Sequence, residues 1–288
     1  GLGTMIPPSI ILIFFALEAG VDTGSLFLAS FIPGFMLAGF YIIYIITVCY
    51  LDPNKGPRRK EKDLPPLNER VRLLKKLAAP GLIALWIMVS IYGGIATVTE
   101  TAATGALAAL LIAYKRKKVN FNFLKDCLTY TLSVTGRLFW LTMGSTSLIG
   151  VFSIMGGTRY LKELVLSLPF GAVGIILTMM FILILLGMFM DWIGILLLTS
   201  PIFLPIIIQL GYSPVWYGVL FSLNMQIGFV SPPFGPACFY IKSVAPPNIS
   251  LFDIFRGVIP FIFLQILAVT ILVLYPDIVL FLPSLLRG

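Results

Sequence analysis

The chain has 288 residues, of which 59% are hydrophobic and only 11% charged, and its formal net charge is +8. Soluble domains carry about 25% charged residues, so the composition indicates an integral membrane protein. The positive charge lies mostly in two short stretches outside the apolar segments. This placement favours a signal that sets the orientation of the protein in the membrane over a binding site for nucleic acid.

The chain begins with a glycine, three residues and a Pro-Pro pair, at Gly3 to Pro8, and an apolar stretch follows at 9–17. This pattern predicts the tip of a re-entrant hairpin, with 9–17 as its descending arm. Because no ascending arm precedes Gly1, we expect the protein to continue N-terminally and this chain to be its C-terminal part. A membrane span is predicted next, at 27–51, bent near Pro33.

Residues 52–78 are strongly charged and predict a loop that leads into a short interfacial helix. An apolar segment at 80–92 is then interrupted by Gly93-Gly94 and resumes at 96–114. Both basic stretches ought to be cytoplasmic, whereas a single broken crossing would place them on opposite faces. Either this segment crosses twice or one stretch breaks the rule.

The restart after the glycine pair is Thr97-Val98-Thr99-Glu100, which has the pattern of a capping box. In such a box Thr97 caps the helix and Glu100 reaches back to the backbone of Thr97. A carboxylate and hydroxyls at a helix break also provide oxygen ligands for a cation. The sequence leaves both readings open, a binding site and a plain helix cap.

A basic stretch at 115–118 ends the apolar segment. A second interfacial arm follows, which begins near Phe121 and leads into a span at 138–154. A short surface helix is predicted at 160–168 and a span at 173–189. Another span, at 192–210, follows Asp191 and contains two prolines. Because Asp191 stands between two spans, it is either a functional intramembrane charge or a helix cap.

The sequence GFVSPPFG at 228–235 repeats the pattern of the first tip, a glycine followed by three residues and a Pro-Pro pair. Apolar helices are predicted on either side, at 215–225 and 236–244, and each is shorter than the roughly 20 residues that a span needs. We therefore predict a second re-entrant hairpin, in which Ser231 caps the second arm and Pro232 is its first residue. The alternative is that the Pro-Pro pairs bound ordinary loops. A connector at 253–256 and a last span at 258–282 complete the chain.

Two broken helices in two repeats indicate the binding site of a secondary transporter. Helix N-termini suit a carboxylate, while unwound carbonyls and hydroxyls suit sodium, so the pattern favours sodium-coupled uptake of an organic anion. Asn224 and Gln226 precede the second tip and add polar groups that could face the same cavity.

An intramembrane enzyme is the rival class, and the residue content opposes it. The chain has no histidine to pair with a nucleophile, and it has neither HExxH nor GxSxG. Its three cysteines, Cys49, Cys127 and Cys238, lie far apart and support neither a zinc site nor a disulfide framework. A channel is a weaker rival, because two opposed helix breaks imply an alternating site rather than a continuous pore.

The sequence resembles the large membrane subunit of tripartite ATP-independent periplasmic (TRAP) transporters. The matching blocks cover essentially the whole chain: GTMIPPSI at 3–10, LFLASFIPGF at 26–35, GGIATVTETAATGAL at 93–107, GMFMDWIGILLLTSPIFLPI at 187–206 and PVWYGVLFSLNMQIGFVSPPFG at 214–235. The resemblance departs at one point, since the family's TPTEAA has valine for proline here, at Val98.

The resemblance implies an all-α membrane protein, an elevator-type secondary transporter with inverted repeats and re-entrant helical hairpins. It implies a transport domain at 1–25, 79–114 and 171–248, a scaffold at 26–78 and 115–170, and a last span at 249–288. One sodium site would lie between the first tip and Thr97–Glu100, the other near the second tip, with substrate between the tips. The implied sodium-binding residues are Gly3, Ser9, Thr97, Thr99, Glu100, Gly228, Ser231 and Pro232. The implied substrate-binding residues are Pro7, Pro8, Ser9, Asp191, Asn224, Ser231 and Pro233.

The implied partners are a small membrane subunit, a periplasmic substrate-binding protein, an organic acid anion and the lipid bilayer. Sodium would be the coupling ion, with no cofactor, and the location would be the bacterial inner membrane, crossed several times. The alternative within the same class is a sodium-coupled anion symporter that works without a binding protein.

Overall fold

A computed structural model describes residues 2–53, 56, 66–167, 169–233, 235–246 and 248–286, and throughout these residues the secondary structure is helical, without strands. A short 3-10 turn at Leu2–Thr4 comes first. The α-helices are α1 (Ile10–Ala19), α2 (Thr23–Leu51), α3 (Leu67–Tyr92), α4 (Val98–Lys115), α5 (Phe121–Ile154), α6 (Gly157–Leu166), α7 (Ala172–Gly187), α8 (Trp192–Gln209), α9 (Pro214–Val230), α10 (Pro236–Val244), α11 (Leu251–Leu274) and α12 (Asp277–Leu286). The predicted all-α fold is confirmed.

Among the described helices, four are long and apolar enough to cross a membrane: α2, α5, α8 and α11. A span needs roughly 20 residues at 1.5 Å of rise each, and these helices have between 18 and 34. Shorter apolar helices, among them α1 and α7, accompany them. The chain is therefore a multi-pass membrane protein.

The helices form two compact units, one of Gly1–Tyr41 with Arg137–Gly288 and one of Ile42–Gly136. The core of the first unit is built around α9, in which every residue except Pro214 and Phe229 is buried. Trp216 of this helix donates from Nε1 to the carbonyl oxygen of Leu272 in α11 at 2.9 Å. A helix that is apolar on all sides has to be surrounded, which explains why α9 has neighbours on every face.

Helix α1 packs on α9 through Phe15, whose ring lies 5.7 Å from the rings of both Tyr217 and Phe221. The contact depends on Gly218, because a Cβ there would lie 2.6 Å from the Phe15 ring and 2.8 Å from Leu26. The glycine in α9 thus lets α1 and α2 approach the central helix closely.

In the second unit, α3 and α4 pack against each other and the chain reverses at 93–97. Trp86 donates from Nε1 to Thr104 Oγ1 at 3.0 Å, although a straight helix would place these residues about 27 Å apart. Gly94, at φ 61°, makes the turn, and the N–H groups of Ile95 and Ala96 donate to the Ser90 carbonyl oxygen. Of the two alternatives for this segment, the structure therefore favours a reversal over a single broken crossing. A reversal leaves the basic ends of both helices on one side, as the positive-inside rule expects.

Several of the predicted helix boundaries are wrong. The interfacial helix and the apolar segment after it are one helix, α3, because a change from polar to apolar sequence does not interrupt backbone hydrogen bonding. The second arm runs into its span as one helix, α5, as predicted. The last predicted span is instead two helices, α11 and α12, separated at Tyr275 and Pro276, and the connector at 253–256 belongs to α11. The basic loop predicted after residue 52 lies largely outside the described residues.

Candidate functional site

The first break (residues 2–9) is held together at the carbonyl oxygen of Thr4. Ser222 Oγ of α9 donates to this oxygen at 3.2 Å, and Ser9 Oγ donates to it as well. Ser9 is 1% exposed and stands directly before α1, but its side chain makes no hydrogen bond to the first turn of that helix. The N–H groups at the start of α1 are therefore not satisfied by a serine cap.

The second break (residues 231–235) begins where α9 ends, and the predicted role of Ser231 as the cap of the following helix is wrong. The Ser231 N–H donates to the carbonyl oxygens of Ile227 and Gly228, and Ser231 Oγ donates to that of Ile227 at 2.8 Å. Because the backbone of Ser231 continues the bonding of α9, its hydroxyl folds back onto α9. Helix α10 starts instead at Pro236, after Gly235 at φ 27°. The Pro232–Pro233 bond is cis, as is Pro7–Pro8 in the first break.

A cavity of about 300 Å³, the first cavity, is lined by residues of the first break, by the start of α8 and by the helix ends on either side of the second break, namely the end of α9 and the start of α10. The first break and the two helix ends that flank the second break therefore share a single space. Its walls are mainly apolar and are formed by Gly3, Thr4, Pro8, Ser9, Ile10, Ile11, Gly187, Met190, Asp191, Trp192, Ile195, Met225, Gln226, Gly228, Phe229 and Pro236.

The first cavity has two helix N-termini in its wall, since α1 begins at Ile10 and α10 begins at Pro236. Among the described residues that line it, Asp191 is the one that carries a charge. The Asp191 carboxylate also accepts a hydrogen bond from the Ile193 N–H at 3.3 Å, so it caps α8. The cap predicted for Asp191 is thus present, and the same side chain faces the cavity.

Gln226 lines the first cavity, as the sequence suggested, although it was not among the residues assigned to bind substrate. Its side chain is 0% exposed, and neither Nε2 nor Oε1 has a well-placed hydrogen-bond partner among the described residues. The Tyr41 hydroxyl lies near the Gln226 amide, but it accepts a hydrogen bond from Gln265 Nε2 at 2.7 Å. Buried amides are nearly always hydrogen-bonded, so an unpaired one at a cavity wall indicates a site for a polar ligand group.

Asn224, which was predicted to bind substrate, does not line the first cavity. It is fully buried, and its Nδ2 donates to the Leu220 carbonyl oxygen at 2.8 Å and contacts Met180 Sδ at 2.9 Å. Residues two apart on a helix point about 200° apart, so Asn224 and Gln226 cannot face the same space. The spacing of the two residues along the helix, which the sequence already gives, therefore distinguishes the two amides.

The structure brings together only part of the predicted site at the first cavity, namely Gly3, Pro8, Ser9, Asp191 and Gly228. Four other predicted residues of the same unit do not line it: Pro7, Ser231, Pro232 and Pro233. Pro7 and Ser231 are buried, while Pro232 and Pro233 are exposed. Whether any of these residues binds sodium or substrate stays a prediction.

The remaining predicted residues, Thr97, Thr99 and Glu100, belong to the second unit. The predicted capping box is present there, because Thr97 Oγ1 accepts from the Glu100 N–H at 3.3 Å and Glu100 Oε2 accepts from the Thr97 N–H at 2.8 Å. Glu100 Oε2 also accepts from Thr97 Oγ1 at 2.7 Å. Thr99 is exposed and lies one residue into α4. The sodium site expected between these residues and the first break stays a prediction.

A helical membrane protein in which two broken helices meet at one cavity has the architecture of a membrane transport protein. The comparisons with known proteins agree, since the family model described as "Tripartite ATP-independent periplasmic transporter, DctM component" matches residues 1–278. The chain belongs to this family, which is a family of transporters and not of enzymes.

Three named relatives illustrate the family. The "Ectoine TRAP transporter large permease protein TeaC" of Halomonas elongata is 30% identical over 286 residues, which is 98% of this chain and 64% of the relative. Two proteins of Vibrio cholerae each align with 100% of this chain and 66% of their own length. They are the "C4-dicarboxylate TRAP transporter large permease protein DctM", 28% identical, and the "Sialic acid TRAP transporter large permease protein SiaM", 27% identical. The chain thus spans slightly less than two thirds of each relative.

Proposed function

We propose that this chain is the central part of a secondary transporter that takes up a small organic acid anion across the bacterial inner membrane. The observation that carries the proposal is the first cavity, because the first break and the two helix ends that flank the second break line the same space. A site built from two breaks can be gated from either side, as alternating access requires.

The substrate anion is held mainly by the polypeptide backbone rather than by basic side chains. Within the part of the chain that the structure describes, neither lysine nor arginine lines the first cavity, whereas the positive ends of α1 and α10 are part of its wall. Helix N-termini carry roughly half a positive charge and present unpaired N–H groups, which suits a carboxylate. The Gln226 amide adds a donor and an acceptor that orient the rest of the substrate.

Sodium is the coupling ion. The Asp191 carboxylate and the backbone carbonyl groups of the first break line the first cavity and are the oxygen ligands that a hard cation prefers. Bound sodium would also offset the repulsion between Asp191 and an anionic substrate. Ligands for sodium are therefore sought at both breaks and at Thr97–Glu100.

The partners proposed are a small membrane subunit and a periplasmic binding protein that delivers the substrate, with an elevator movement of the transport domain. The relatives are named for three different substrates, ectoine, C4-dicarboxylates and sialic acid. Membership of the family therefore does not select a substrate, and the binding protein is the place to search for it.

The test begins with the binding protein, which is screened by thermal shift against a panel of small organic acids. The acid that stabilises it is then labelled and offered to proteoliposomes that contain the full-length protein and the small subunit. We expect uptake only with an inward sodium gradient and only when the binding protein is present.

Each other outcome identifies a different mechanism. Equal uptake with a proton gradient and no sodium would overturn the coupling ion. Full uptake without the binding protein would favour the symporter that works alone. Recovery of a chemically altered acid inside the vesicles would contradict transport and indicate an enzyme.

A further inference from the structure

A second cavity, of about 400 Å³, lies among α5, α6, α7 and α8 in the first unit and shares no lining residue with the first cavity. Apolar side chains from all four helices line it, such as Leu148 of α5, Leu161 of α6, Leu186 of α7 and Ile202 of α8. Leu148 is 62% exposed, so the rim of the cavity is open on the α5 side. None of the described residues closes the cavity on that side.

The described residues present no polar atom to the second cavity. Two of them carry hydroxyl groups, and both donate elsewhere: Thr158 Oγ1 donates to Ser153 Oγ at 3.0 Å, and Thr199 Oγ1 donates to the Ile195 carbonyl oxygen at 2.7 Å. A buried water needs two to four polar partners, and none is offered here. The cavity is therefore suited to a hydrocarbon chain and not to water or a polar ligand.

Helix α6 covers part of the second cavity and is amphipathic. Leu161, Leu164 and Val165 face the cavity, while Arg159 and Glu163 are exposed on the other side of the helix. A short helix with an apolar face and a basic polar face lies in the plane of the membrane–water interface. The cavity is then situated just below the headgroups, at the depth where acyl chains begin.

The charge on α6 is unbalanced toward the positive. Arg159 Nε and Glu163 Oε1 form an ion pair at 2.8 Å. Lys162, on the same helix, has no carboxylate partner within the described ranges of the chain, and its side chain is half-buried. Lys162 follows Leu161 and lies one helical turn before Val165, and both of these residues line the cavity. An ammonium group on this flank of α6 complements the phosphate of a lipid whose chain fills the cavity.

We propose that the second cavity binds one acyl chain of an anionic phospholipid, with its headgroup at Lys162. The two membrane-length helices that line the cavity, α5 and α8, place it beside the bilayer. The positive edge selects anionic over zwitterionic headgroups. This inference rests on membrane insertion and does not depend on the transport function.

The test is native mass spectrometry of the full-length protein in mild detergent with equimolar palmitoyl-oleoyl phosphatidylglycerol and phosphatidylcholine. We expect the wild-type protein to retain one phosphatidylglycerol in preference to phosphatidylcholine. Lys162→Ala should reduce that preference about fivefold, which corresponds to roughly 1 kcal/mol per basic residue at the surface. Lys125→Ala, which removes an exposed lysine of α5 away from the cavity, is the control and should leave it unchanged.

A second pair of variants tests the cavity itself. Leu148→Trp fills it from the open rim and should abolish retention of both lipids, whereas Leu141→Trp, on the same helix but outside the lining, should not. Thermal melting shows whether each variant is folded, and Ile202→Phe replaces Leu148→Trp if the latter is not. Unchanged lipid retention in a folded, cavity-filled variant would overturn the proposal. Equal retention of both lipids by the wild type would overturn the assignment of the headgroup to Lys162, and retention of neither lipid would leave a subunit or a second copy as the occupant.

Discussion

Gly187 of α7 and Gly228 of α9 pack backbone against backbone in the wall of the first cavity. A Cβ added to Gly228 would lie 2.7 Å from the Gly187 Cα and 2.8 Å from its carbonyl oxygen. A Cβ added to Gly187 would lie 3.1 Å from the Gly228 Cα. The wall of the candidate site therefore depends on two residues that have no side chain.

The first prediction is that Gly228→Ala destabilises the protein by about 1–3 kcal/mol, because the added methyl group meets backbone that cannot rotate away. Gly187→Ala should cost less, since its closest contact is longer. Gly194→Ala, whose Cβ would meet only Met190 Cε at 3.5 Å, is the control and should be neutral. Thermal melting of the purified variants checks the order. A Gly228→Ala variant that melts like the Gly194→Ala variant would contradict the close packing.

The second prediction concerns Gln226 and its role in the proposed substrate site. Gln226→Leu should raise KM for uptake with little loss of stability, because the buried amide has no well-placed partner to lose. Gln265→Leu is the matched control, a buried glutamine outside the first cavity that donates to the Tyr41 hydroxyl at 2.7 Å. It should lower stability by about 1 kcal/mol and leave KM unchanged.

Uptake kinetics and melting temperatures of these two variants separate the roles. If Gln226→Leu also lowers the melting temperature and leaves KM unchanged, the amide has a structural role and does not bind the substrate.

Helix content and many boundaries could be predicted because apolar length and turn residues are local signals. The helix predicted at 236–244 is α10 as observed, and the Thr97–Glu100 box is present in the expected form. Pro276 shows the limit of such signals. The sequence around it is apolar on both sides, so composition predicted one span, whereas the structure has two helices there.

Ser231 and Gln226 show why the site was predicted only in part. A serine between a helix and a Pro-Pro pair can bond backward or forward, and local sequence does not decide between these choices. The face that Gln226 presents depends on which helices surround α9, and that is a property of the tertiary packing. Residues fixed by their position in a break, such as Gly3 and Ser9, were predicted to lie at the site and do line the first cavity.

The third prediction separates sodium binding from helix capping at Thr97 and Thr99. Thr97→Val removes an observed cap and should cost about 0.5–2 kcal/mol. Thr99→Val removes an exposed hydroxyl and should barely change stability, but it should raise the sodium concentration needed for half-maximal uptake. Ser250→Ala, which breaks the equivalent box at the start of α11, is the control for lost capping alone. Unchanged sodium dependence in both threonine variants would assign this motif to structure.

The fourth prediction tests the carboxylate of Asp191, which caps α8 and lines the first cavity. Asparagine is as good an N-cap as aspartate, so Asp191→Asn should keep the melting temperature while it removes the charge. We expect it to raise the half-saturating sodium concentration. Asp191→Ala should show the same change together with a loss of about 1 kcal/mol of stability.

Ser213→Ala is the control for Asp191, because Ser213 caps α9 with a hydrogen bond of 3.2 Å from the Val215 N–H and does not line the first cavity. It should lower the melting temperature without changing sodium dependence. Sodium titrations of uptake beside thermal melts distinguish all three variants. If Asp191→Asn transports with the sodium dependence of the wild type, the carboxylate serves only as a cap, and the sodium ligands have to be sought among the carbonyl and hydroxyl oxygens of the two breaks.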